Sequence, residues 1–90
     1  MSDVVHDTAG HRFTVQMDGH EAELVYVPEE GAIAIVHTGV PTEIGGRGVA
    51  ADLVKAALEF ARAQGLKVAP RCSYAEAYVR KHREYDDLLA

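Results

Sequence analysis

One stretch limits the fold more than any other. Ala32-Ile33-Ala34-Ile35-Val36 is wholly apolar and follows the turn Pro28-Glu29-Glu30-Gly31. A run that short, bounded by turn residues, reads as a central strand buried on both faces. The connection after it holds Gly39, Pro41 and Gly45. A helix then begins at about Gly46 or Arg47 and runs to Gln64. Its polar stripe is Asp52, Lys55, Glu59 and Arg62, at spacings of three and four. Its apolar stripe includes Val49, Leu53, Val54, Ala57, Leu58 and Ala61. Gly65 stands where a helix C-terminal glycine belongs. Leu66 to Ala69 forms the next strand, stopped by Pro70. Strand, helix, strand implies one parallel, right-handed crossover.

The remaining elements arrange themselves around that unit. Phe13, Val15 and Met17 alternate with polar residues, as do Ala22, Leu24 and Tyr26. Asp18-Gly19 between them is a strong hairpin signal. Ser73-Tyr74-Ala75-Glu76 matches a capping box, so a second helix starts there. Arg80, Lys81 and His82 close it, and Tyr85, Leu88 and Leu89 suggest one more packed turn. The order is β-β-β-α-β-α, an α/β (α+β) chain with an antiparallel meander and one parallel crossover. Residues 1–10 read as a loose tail and 11–90 as a single domain, the size expected of 90 residues.

Composition then removes whole classes. Apolar residues make up 48% and charged residues 26%, which excludes a disordered chain. A single Cys makes no intrachain disulfide, and residues 1–7 lack the basic and apolar regions of a signal peptide. No apolar run approaches the roughly 18 residues that span a bilayer. The expectation is a cytoplasmic protein without a membrane, a monomer or weak homodimer. Residues 1–45 carry one base and eight acids, and residues 46–90 carry eight bases and six acids. That balance suits a small anion better than a nucleic acid. Five His without paired spacing, and one Cys, give no metal site.

The segment richest in chemistry is Gly45-Gly46-Arg47-Gly48-Val49-Ala50. It joins the central strand to the helix N-terminus. Unpaired N–H groups and a positive dipole end gather there. Glycines let a phosphate approach the backbone, and Arg47 adds a charge suited to it. The alternative is a helix start whose glycines serve only the turn. A P-loop is excluded because no Lys-Ser or Lys-Thr pair exists. A Rossmann turn wants an acid about 20 residues on, where this chain has Val68-Ala69-Pro70-Arg71.

The glycine segment resembles the acetyl-CoA loop of the GNAT superfamily of N-acetyltransferases. That loop carries Arg or Gln, two residues, Gly, one residue, then Gly or Ala. Gly46-Arg47-Gly48 fills the glycine positions, while Glu43 departs from the first. The chain is similar, more closely, to very short GNAT-like proteins of the N-acetyltransferase domain-containing protein 1 type. The likeness rests on His37-Thr38-Gly39-Val40-Pro41, Leu53-Val54, Pro70-Arg71-Cys72-Ser73-Tyr74 and His82-Arg83-Glu84-Tyr85. Arg83 replaces the usual Pro of the last motif.

The resemblance implies a minimal GNAT fold with acetyl-CoA as cosubstrate and no metal. Acetyl-CoA would lie where the Ala32–Val36 strand and the Lys67–Ala69 strand diverge. Pantetheine would pair with backbone at Val36, His37, Thr38 and Val40. The diphosphate would sit on Gly45, Gly46, Arg47, Gly48, Val49 and Ala50, with Ser73 and Tyr78 beside the carrier. The acceptor would be an unidentified amine, a small molecule or a protein lysine. The alternative is a non-catalytic CoA-binding or protein-interaction domain.

Amide formation from a thioester needs a base for the amine, a donor for the oxyanion and an acid for the thiolate. Cys72, just before the second helix, is a candidate nucleophile, because a helix N-terminus favours the thiolate. It is equally a small buried hydrophobe or a pantetheine contact. Tyr74 or Tyr78 is the candidate acid, or an aromatic packing residue. His37 is the candidate base, or a structural hydrogen-bonding group. Arg80, Lys81 and Arg83 either meet the 3′-phosphate of CoA or decorate a helix end.

Overall fold

The computed structural model describes residues 3–90. Five strands form one sheet whose spatial order is the chain order: β1 (Val4–Asp7), β2 (Arg12–Met17), β3 (His20–Glu29), β4 (Ala32–Gly39) and β5 (Lys67–Pro70). The first four are antiparallel neighbours, and β4 runs parallel to β5. Helix α1 (Val49–Gln64) makes the crossover, and α2 (Ser73–Lys81) follows β5. The meander and the single parallel crossover stand as the sequence predicts. So does the Asp18-Gly19 hairpin, where both residues have positive φ (50° and 75°), as a type I′ turn requires.

Strand β1 corrects the expectation of a loose tail. Met1 and Ser2 of that tail lie outside the described residues. Val4 to Asp7 pair with Val15 to Arg12 along the sheet edge. The period-two signal is hard to read there because the inward residue is a histidine, while Val5 is 60% exposed. The His6 ring stacks on Phe13 at 4.1 Å and meets the edge of Phe60 at 4.5 Å. Its Nε2 shares a 2.6 Å hydrogen bond with the Tyr26 hydroxyl. An imidazole can therefore serve as a core residue when a phenol satisfies its nitrogen.

One core holds the elements together. Phe13, Val15, Leu24, Tyr26, Ile33 and Ile35 of the sheet meet Val49, Leu53, Val54, Leu58 and Ala61 of α1, with Val79, Tyr85 and Leu88 beyond. A 3-10 turn (Arg83–Leu88) supplies the last two. Polar bonds lace it down: the Tyr85 hydroxyl donates to Glu59 at 2.7 Å, and Arg62 reaches Asp87 at 3.0 Å. The backbone N–H of Ala90 donates to the Val68 carbonyl at 2.9 Å.

The apolar run is buried over four residues rather than five. Ala32 to Ile35 are all at most 8% exposed, whereas Val36 is 39% exposed. The pairing shows why. Tyr26 faces Ile35 but Val25 faces His37, so Val36 is the extra residue of a β-bulge.

Ile35→Ala is expected to cost about 3 kcal/mol, since a fully buried branched side chain leaves a cavity. The melting temperature should fall by roughly 10–25 °C, whereas exposed Val27→Ala should move stability by no more than about 0.5 kcal/mol. His6 supplies a pH test. Burial lowers its pKa from 6.5, with Asp7 pulling the other way. Below that value the unfolded chain takes up a proton before the folded chain does. Stability should decline as pH falls through that range and level off once folded His6 protonates. Denaturant titrations of the wild type and His6→Phe at stepped pH should show this decline only in the wild type.

Candidate functional site

The β4–β5 ladder runs only from Ala32 and Lys67 to Ile35 and Pro70. Beyond it the N–H groups of Arg71 and Cys72 both donate to the Ile35 carbonyl, at 2.9 and 3.0 Å. Two donors on one acceptor end the ladder and turn the chain off the sheet. Meanwhile β4 continues to Gly39 against β3 alone. The bulge at Val36 adds twist at the same level. The sheet therefore opens into a wedge between Val36–Gly39 and Arg71–Cys72.

Cys72 and Thr38 meet across this wedge, with Sγ and Oγ1 3.4 Å apart. The Ala75 N–H donates to Sγ at 3.3 Å. Cys72, not Ser73, is thus the N-cap of α2, with the extended backbone that position needs (φ −85°, ψ 149°). Ser73 is exposed in the first turn of α2. The capping-box pattern found the helix start but misplaced the cap by one residue, because sulfur is an unusual cap acceptor.

His37 follows a different course. Its chain neighbour Thr38 faces Cys72, and alternation along the strand sends His37 to the other face of the sheet. There its exposed ring stands 3.9 Å from the Glu23 carboxylate. The structure therefore brings Cys72 to Thr38 but not to His37.

The glycine segment is held at both ends by the core. A 3-10 turn (Thr42–Ile44) plants fully buried Ile44, and Val49 at the start of α1 is 2% exposed. Between them Gly46 and Gly48 both have φ +77°. Helix α1 begins at Val49, later than Gly46 or Arg47, because left-handed residues cannot continue a right-handed helix. Its first intrahelical bond is from the Asp52 N–H to the Gly48 carbonyl, 3.0 Å. Gly48 offers no side-chain cap. The N–H groups of Val49, Ala50 and Ala51 are left for water or an anion. A Cβ on Gly46 or Gly48 would meet nothing within 4 Å, so the space before them is open. The site accordingly fits a phosphate carrier. Arg47 differs from expectation: its guanidinium donates to Asp18 in the β2–β3 turn at 2.6 Å.

Tyr74 and Tyr78 share a hollow of about 250 Å³ with Ala51, Ala77, Lys81 and His82. Tyr78 and His82 stack with ring centres 4.1 Å apart. Burial raises the pKa of both hydroxyls, with Asp52 adding to it at Tyr74 and Glu84 at Tyr78. Both therefore stay protonated at neutral pH and can donate. Val40 packs half-buried against the core. Among the described residues, no group of three His, Cys, Asp or Glu is placed to hold a metal ion. No helix among them is long and apolar enough to cross a membrane.

The family profile described as GCN5-related N-acetyl-transferase matches residues 12–88. The chain belongs to this acetyltransferase family. It is 38% identical over 82 residues to Protein NATD1 of Gallus gallus and of Homo sapiens. The match covers 88% of this chain and 74% and 73% of those proteins, respectively. The solution structure of a GCN5-like protein from Staphylococcus aureus superposes with a TM-score of 0.76 at 33% identity. It covers 98% of this chain and 87% of that one. In this GNAT fold the wedge and the glycine turn adjoin the same edge of β4.

Gly46→Ala and Gly48→Ala should each cost about 1–2 kcal/mol through left-handed strain. Neither new methyl has anything to strike. Denaturant unfolding checks this: a cost near zero at Gly48 would mean that the turn relaxes without its glycine.

Proposed function

We propose that the chain is an acetyl-CoA-dependent N-acetyltransferase acting on an amine, either a small molecule or a protein lysine. The observation that carries this reading is the uncapped N-terminus of α1. It lies behind two open left-handed glycines, at the end of a strand whose partner has turned away. Acetyl-CoA supplies an activated acetyl thioester. The exposed edge of β4 at Val36, His37, Thr38 and Val40 offers backbone groups to the pantetheine amides. The amides of Gly45 to Ala50 receive the diphosphate.

The side chains divide the remaining work. His37 takes the amine proton on its own face of the sheet, with Glu23 stabilising the resulting imidazolium. Tyr74, protonated at neutral pH, returns a proton to the departing sulfur. Cys72 lines the wedge wall and holds α2 in place. Its contacts favour this capping role over nucleophilic attack, since Sγ is already engaged by Thr38 and the Ala75 N–H.

Two measurements test the reading. The first is a thermal-shift titration with acetyl-CoA, CoA, ATP and NADH. A ligand bound only by the folded state stabilises it by about 2.7 kcal/mol at a hundredfold excess over Kd. Stabilisation by acetyl-CoA and CoA alone is expected, and none by either would sink the assignment. The second compares Cys72→Ser with Cys72→Ala in acetyl transfer to a panel of amines. Serine also caps a helix, so a capping Cys predicts near-normal transfer for Cys72→Ser. It also predicts a stability loss of about 1 kcal/mol for Cys72→Ala. Loss of transfer in both variants would instead make Cys72 the nucleophile. CoA binding without transfer to any amine would leave a CoA-binding module.

A further inference from the structure

Arg47 is the one cation within the glycine turn, and its charge is already answered by a carboxylate. We infer that Asp18 is an autoinhibitory competitor for that arginine. Its carboxylate holds the guanidinium that the carrier's diphosphate would draw on, so the β2–β3 hairpin sets how tightly the carrier binds. This rests on the acetyl-CoA reading and adds an affinity-setting residue outside the site.

Both ends of the contact are mounted on well-held backbone. Asp18 sits in the hairpin at φ 50°, a conformation that Asp and Asn tolerate better than most residues. Arg47 stands between Gly46 and Gly48, in a turn pinned by buried Ile44 and Val49. Its guanidinium donates to Asp18 at 2.6 Å, across 29 residues of chain. The acid nearest to Arg47 in sequence plays no such part, since Glu43 instead accepts from the Thr42 hydroxyl at 3.5 Å. The contact is therefore made by the fold and not by chain neighbours.

The two side chains are also free to part. Arg47 is 50% exposed and Asp18 62%, so water can replace either partner. An exposed pair of this kind favours the closed state by about 1.4- to 5-fold. Arginine grips phosphate through paired N–H donors, a stronger hold than one exposed carboxylate contact. A diphosphate arriving at the glycine turn therefore meets a neutralised pair and must draw Arg47 off Asp18 to use its full charge. When binding needs a state that only part of the molecules occupy, apparent affinity falls by that fraction. The hairpin carboxylate thus acts as a built-in rival anion.

Calorimetric titration of CoA into the wild type, Asp18→Asn, Arg47→Gln and the double variant tests this. Asparagine accepts the same positive φ, so the hairpin keeps its shape. Physiological ionic strength is used, where repulsion between exposed charges more than about 8 Å apart is largely screened. Asp18→Asn should tighten CoA by about two- to sixfold, because Arg47 is then always free. Arg47→Gln should weaken CoA, and adding Asp18→Asn to it should recover little. Weaker binding by Asp18→Asn would make Asp18 a residue that aims Arg47 at the ligand. Unchanged binding would leave the contact without a role. Either result overturns the proposal and spares the acetyl-CoA reading. So does an equal gain in both backgrounds, which would mean bare repulsion without Arg47. Failure of CoA to bind any of the four proteins would overturn both.

Discussion

The site depends on one carbonyl. Ile35 accepts N–H groups from Arg71 and from Cys72, at 2.9 and 3.0 Å. A parallel ladder gives each carbonyl one donor and keeps both strands in step. A second donor from the next residue is possible only if the chain turns. That turn takes β5 off the sheet, starts α2 at once and leaves β4 alone beyond Ile35. Ile35 cannot move to relieve the crowding, because its side chain is fully buried. The bulge one residue later places the change of register at the same level. Wedge, cap and bulge meet at one level of β4.

The glycine turn is a balance between strain and burial. Two residues at φ +77° close together call for glycine, which takes that conformation without a Cβ penalty but loses more freedom when fixed there than any other residue. Ile44 before them and Val49 after them are both buried, and the core fixes their separation. Arg47 adds a tether to Asp18, itself at φ 50° in the β2–β3 turn. This tether is exposed and worth little energy alone. Its geometric effect is larger, since it joins the turn to a hairpin three strands from β5. The charge expected to meet phosphate thus serves first to hold the turn. Mutation of Arg47 would act on the shape of the loop as well as on its charge.

Much of this was legible in the sequence, for identifiable reasons. Strands β2 and β3 alternate cleanly because one face meets the core, and Asp18-Gly19 admits few other conformations. Helix α1 declares itself through Leu53, Val54, Ala57, Leu58 and Ala61, and Gly65 ends it in the left-handed conformation expected (φ 70°). The misses share a cause: a side chain whose usual role differs from its role here. His6 fills a core position that hydrophobicity would give to an aromatic hydrocarbon. Cys72 caps where serine was expected. Val36 is apolar yet exposed, because a bulge depends on pairing between strands and leaves no mark in one strand alone. The Thr38–Cys72 contact spans 34 residues, and no local pattern encodes it.

The two faces of the sheet at the wedge differ. On one stand Thr38, Cys72 and the core. On the other, Arg12 draws Asp7, Glu21 and Glu23 together within 3.5 Å, and His37 approaches Glu23. One guanidinium among three carboxylates leaves that face negative. A cationic amine is attracted to such a surface, though exposed charges at these distances steer more than they bind. On the proposed reading, the amine reaches the wedge from the acidic face and loses its proton at His37. The thioester is held by backbone groups of β4 and by the glycine turn. Donor and acceptor then meet across the thickness of the sheet. This arrangement requires neither strand to move, because the Ile35 carbonyl already holds them apart.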